Sequence, residues 1–98
     1  MEPYRDTKIV TVNGHALCVF LNRLYGLSAG DLVQVRITAS DDPTHTVVTT
    51  KKVVNCNGAT MIYLDKIWGF EKGDAVELEV VPRGDLGVGY KEGDQEVP

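Results

Sequence analysis

The side chains that could do chemistry fall into three sets. Asp31 and Asp74 are paired carboxylates, each directly after a glycine, Gly30 and Gly73. Two carboxylates can share acid–base work. A carboxylate behind a turn glycine also accepts backbone N–H bonds, and that structural role is the one the pattern predicts. The second set is Cys18, Cys56, His15 and His45. No Cys-x-x-Cys and no clustered histidine is present, so neither a metal centre nor any cofactor is expected. His45 falls in a linker and is expected to be exposed. The third set is basic: Lys8, His15, Arg23, Arg36, Lys51, Lys52 and Lys66. Such residues suit phosphate oxygens, and the planar fork of Arg23 also suits bidentate contact with a base. With no phosphate-binding glycine loop and no nucleophile–base pair, the chain is expected not to be an enzyme.

These residues are carried by a chain that repeats itself. Lys8-Ile-Val-Thr-Val-Asn-Gly14 sets over Lys52-Val-Val-Asn-Cys-Asn-Gly58 at an offset of 44, and Phe20–Ile37 over Tyr63–Val80 at an offset of 43. One residue is then missing from the second copy, just after Gly58. The substitutions keep their chemistry: Phe20/Tyr63, Asn22/Asp65, Arg23/Lys66, Leu24/Ile67, Tyr25/Trp68. Each copy reads as ββαβ. A strand (8–12, 52–56) enters an Asn-Gly turn, Asn13-Gly14 or Asn57-Gly58, which tolerates the positive φ of a tight hairpin. A second strand (16–21, 59–64) is apolar enough to be buried on both faces. Asn22 or Asp65 stands at the N-cap of a helix of one or two turns, with Gly26 or Gly69 at its left-handed end. Gly30-Asp31 and Gly73-Asp74 form a turn, and a third strand alternates, with Val33, Val35 and Ile37 or Val76, Leu78 and Val80 facing in.

Within this scheme Cys56 lines up with Val12, and Cys18 lies in a strand matched by Met61 and Ile62, so both thiols are expected in apolar core slots. Tyr25 and Trp68 are expected to pack against the end of the core. Asp41-Asp42-Pro43 breaks the chain between the copies, and 44–50 either extends the first strand of copy two or adds a strand before it. Interleaving the two units predicts a mainly β fold: a small closed β-barrel with one short helix per repeat, its closure removing exposed strand edges. The expected domain is 1–82, built of repeats 7–38 and 51–81.

The chain has 98 residues, enough for one compact core. Its longest apolar run, 16–21, is far short of the ~20 residues a membrane span needs. The N-terminus lacks a basic-then-apolar signal pattern, so a cytoplasmic location is expected. Ten basic residues against fourteen acidic ones leave a formal charge of −4, which argues against a generic nucleic-acid glue. The charge is uneven. Lys8, Arg23 and Arg36 against Asp31 leave copy one at +2, whereas copy two stands at −1. A contact surface is therefore biased to copy one plus Lys51 and Lys52. Residues 83–98 are acidic and glycine-rich and read as a flexible tail.

The strand, Asn-Gly turn, apolar strand, capped helix ending in Gly-Leu, and Gly-Asp turn before an alternating strand resemble the AbrB/SpoVT/MazE group of swapped-hairpin (cradle-loop) barrels. The residues concerned are Val12-Asn13-Gly14, Leu21–Leu27 and Ala29–Val33, with Cys56-Asn57-Gly58, Leu64–Phe70 and Lys72–Val76 in the second copy. The proline that members usually carry between second strand and helix is absent. The resemblance implies a DNA-binding transcriptional regulator or antitoxin-type DNA binder with two tandem copies in one chain. Its DNA contacts would be Lys8, Asn13, His15, Arg23, Lys51, Lys52 and Lys66, with Gly14, Gly30, Asp31, Gly58, Gly73 and Asp74 shaping the turns. The Gly-Asp turn is shared with double-psi barrels, which bind substrates or protein partners. That alternative would use apolar rim residues such as Tyr25, Trp68 and Phe70. A third reading has residues 83–98 ordering on a toxin. Duplex DNA or a protein partner is thus expected, with no membrane, and the chain as monomer or homodimer.

Overall fold

A computed structural model describes residues 3–82. The expected acidic tail, 83–98, lies outside the described residues. The chain runs through β1 (Tyr4–Ile9), β2 (Thr11–Asn13), β3 (Ala16–Phe20), β4 (Leu32–Ala39), β5 (Asp42–Lys52), β6 (Val54–Cys56), β7 (Ala59–Leu64) and β8 (Ala75–Pro82). All pairings are antiparallel, in two four-stranded sheets of order β1-β8-β4-β5 and β2-β3-β7-β6. The mainly β expectation holds. The 44–50 segment is the middle of one long strand, β5, and Asp41 sits in a hairpin turn from β4.

Two expectations are corrected. The first is barrel closure: the strands form two separate sheets over a shared core. Each repeat's opening strand breaks at a buried valine, Val10 or Val53, both 1% exposed, where the chain passes from one sheet to the other. The ladder is interrupted there. The Val10 N–H donates to the Asp74 carbonyl and the Gly73 N–H to the Val10 carbonyl, both at 2.9 Å. Val53 is held likewise by Asp31 and Gly30, at 2.8 Å. The Gly-Asp turn of each repeat thus clasps the break in the other, which satisfies backbone groups that burial would otherwise leave unpaired.

The second correction concerns the helices. Among the described residues there is no α-helix; the helical positions make a single 3-10 turn, Arg23–Tyr25 and Lys66–Trp68. Only three residues separate the cap from a left-handed glycine, Gly26 (φ 70°) or Gly69 (φ 85°). That is too short to repay α-helix nucleation, and the tighter turn fits. The Asn22 carboxamide accepts the Leu24 N–H at 2.9 Å, whereas Asp65 makes no such bond.

The repeat itself runs at one offset of 43 through both blocks, as in Val10/Val53 and Asn13/Cys56. No residue is missing after Gly58. Gly14 and His15 form the first hairpin turn, with Asn13 ending β2, and Asn57 and Gly58 form the second. Gly14 takes positive φ (67°), while Asn57 (54°) and Gly58 (87°) both do. Two-residue hairpins accept either a leading glycine or an Asn-Gly pair, so aligning the Asn-Gly dipeptides shifts the repeat by one.

The core lies between the sheets. Val33, Val35, Ile37, Val76, Leu78 and Val80 come from one, buried as their alternation predicts, and Val19, Leu21, Ile62 and Leu64 belong to the other. On the far side of the second sheet Cys18 (0%) and Met61 (1%) are buried too. The exception to burial on both faces is Phe20, 40% exposed where β3 ends.

Candidate nucleic-acid interface

The pairing of β3 with β7 decides where the basic residues go. Leu17 stands opposite Leu64 and Phe20 opposite Met61. The first hairpin tip, Gly14-His15, therefore lies beside the end of β7, where Asp65 starts the second 3-10 turn. The second tip, Asn57-Gly58, lies beside the end of β3, where Asn22 starts the first. The candidate residues consequently divide between two repeat-related ends. Arg23 and Lys8 belong to the first turn, and His15, Lys51 and Lys66 to the second, with Lys52 next to Lys51 at the end of β5.

At the first end, Arg23 is exposed and lines an open groove of about 300 Å³ with Ser28, Asn55, Gly58 and Thr60. Lys8 is drawn inward. Its Nζ is 3.5 Å from Oδ2 of Asp6, which also accepts the Tyr25 hydroxyl at 3.4 Å. Tyr25 stacks on Tyr4 with ring centroids 4.4 Å apart. Burial first, then the Asp6 charge and hydrogen bond, push the Tyr25 phenol up to about 12.

At the second end, Lys66 and Lys52 are exposed and His15 sits at the hairpin tip. Lys51 is engaged: its Nζ is 3.4 Å from Asp65 Oδ1 and 5.5 Å from the centre of the Trp68 ring. His45 is not the exposed linker residue expected. Its ring stacks on Phe70 at 4.2 Å, and its Nε2 is 2.6 Å from the Trp68 carbonyl oxygen. The linker became strand β5, whose alternation turns His45 toward the second turn.

Asn13 ends β2 rather than forming the turn, and it is half-buried. Its Nδ2 donates to the Tyr63 hydroxyl at 3.1 Å and to Cys56 Sγ at 3.6 Å, tying the edge strands β2 and β6 together across their sheet. Both thiols are unpaired; Cys18 is fully buried and Cys56 partly so. Burial, with a smaller contribution from Cys56, raises the Cys18 thiol above its usual value. Asp31 Oδ2 accepts the Ser28 N–H and Asp74 Oδ2 the Glu71 N–H, each at 2.8 Å. The outer face of the first sheet alternates in sign, with Glu79 bridging Arg5 (2.8 Å) and Arg36 (3.7 Å). Among the described residues no cluster of three or more potential metal ligands occurs, and no helix is long and apolar enough to cross a membrane.

Two residues escaped the sequence reading. Leu24 and Ile67, equivalent in the repeat, are each 88% exposed, directly after Arg23 and Lys66. Their apolar character pointed inward; a three-residue turn with no buried position turns them out. No family model matches the chain, and neither a curated protein nor a solved structure matches it.

Proposed function

We propose that the chain binds duplex DNA as a swapped-hairpin, AbrB-like regulator or antitoxin-type DNA binder. The observation that carries this reading is the repeat-related pair Arg23 and Lys66. Each is exposed on an equivalent turn, and neither takes part in an ion pair among the described residues. Two cations related by an approximate twofold match the dyad of a duplex, as half-sites match a dimeric reader. Phosphate contact depends on such local cations and releases counterions locally, so the overall negative charge is no obstacle. Antiparallel interleaving, in which each repeat's first strand pairs with the other's last, supports the swapped-hairpin threading.

The rival reading, a protein-binding barrel docking through Tyr25, Trp68 and Phe70, has less to stand on. Phe70 is 2% exposed beneath His45, Tyr25 stacks on Tyr4, and Trp68 lies under Lys51. The test is fluorescence anisotropy of a labelled duplex at two salt concentrations. Binding is expected to weaken steeply with salt. Arg23→Ala should cost ~1–3 kcal/mol if the fork reads a base, and Lys66→Ala should lower the salt slope by about one. No binding at low salt would end the proposal.

A further inference from the structure

The two edges of the first sheet are equivalent in the repeat but differ in chemistry. Edge β1 carries Arg5, Asp6 and Lys8, with Asp6 and Lys8 on its half-buried side. Charges placed in this way keep an edge from pairing with another chain. The corresponding positions of β5 are Val48, Thr49 and Lys51. From Thr44 to Thr50, Thr-His-Thr-Val-Val-Thr-Thr, β5 has no acidic residue, lysine or arginine and is largely β-branched. Val48 is 52% exposed. β5 pairs with β4 on one side, and no backbone hydrogen bond among the described residues reaches its other edge. Pro43 removes an N–H only near one end of the strand.

We propose that this edge pairs antiparallel with β5 of a second copy of the chain, joining two four-stranded sheets into one. The charges at its ends select this occupant: Asp42 opens the strand and Lys52 closes it. A twofold axis through Val47 sets Asp42 of each copy opposite Lys52 of the other. Thr44 then faces Thr50, and Thr46 faces Val48. All of these positions are exposed and lie on one face of the strand. A twofold contact must be self-complementary, and this one is so in charge. Thr–Thr and opposite-charge pairs across antiparallel strands are each favourable. The inference does not rest on DNA binding.

Sedimentation velocity over two decades of protein concentration tests it. The wild-type chain should pass from one to two times the 10.7 kDa chain mass. Val48→Lys restores charge at the position equivalent to Arg5 and should weaken dimerisation roughly tenfold or more. Its thermal melt in dilute solution should not change, because the side chain points outward. Asp42→Lys and Lys52→Asp should each dimerise poorly alone, and mixing them should recover a heterodimer in which both end pairs attract. A wild-type chain that stays monomeric overturns the proposal. So does a Val48→Lys chain that dimerises normally, an assembly that grows past two copies, or a mixture that fails to recover.

Discussion

Tyr25 shows how a single side chain is set by neighbours far away in sequence. Its phenol donates to Asp6 and its ring stacks on Tyr4, both from β1. Burial and the Asp6 carboxylate disfavour the phenolate, so the group ionises near about 12 in the folded chain against 10 in the reference state. The sign follows. The folded state holds the proton longer, so this contribution to stability is complete below about pH 10 and is lost as pH rises toward about 12. Denaturant midpoints are expected to fall across that window, and Tyr25→Phe should flatten the fall. Identical pH profiles for the two chains would remove Tyr25 from this role. Little of this was legible in the sequence. Lys51 looked like an available cation, and only folding brings Asp65 beside it, whereas Asp6 already stands two residues before Lys8 on the same side of β1.

At the scale of the element, the two 3-10 turns share geometry but not support. Asn22 caps its turn through the Leu24 N–H, and Asp65 spends its carboxylate on Lys51. Asn22→Ala should therefore cost about 1 kcal/mol, the usual value of an N-cap bond. Asp65→Ala should cost roughly 0–1 kcal/mol, as for an exposed ion pair. Chemical denaturation of the two variants measures both losses, and an Asn22→Ala loss near zero would mean that the cap bond contributes nothing. The cap residues and left-handed glycines were readable because they are local conformational demands. The length of the helix was not, since only three residues fit between them and a 3-10 turn takes the place of α-helix.

Across the whole molecule, the repeats depend on each other. The pairs β1:β8, β4:β8, β4:β5 and β3:β7 all join the two repeats, as do the clasps at Val10 and Val53. Within one repeat only the short hairpins β2:β3 and β6:β7 remain, and an isolated hairpin is marginal in water. Fragments 1–40 and 41–98 should each lack β-sheet circular dichroism, and mixing them should restore it. A fragment that folds alone would show that the interleaving is not needed for stability.

Taken alone, the sequence determined what depends on neighbours along the chain. It specified two copies of one pattern, the alternation that buries Val33, Val35 and Ile37 with their counterparts, and the glycines of the turns. Each follows from strand periodicity or from the φ a turn requires. Tertiary structure decided the rest. It divided the strands into two sheets at Val10 and Val53, shifted the first hairpin turn to Gly14-His15, engaged Lys51 and His45, and left Leu24, Ile67 and the β5 edge outward. The physical reason is that these outcomes depend on which strands pair and on what then stands beside each side chain, and a local pattern of residue types does not record that.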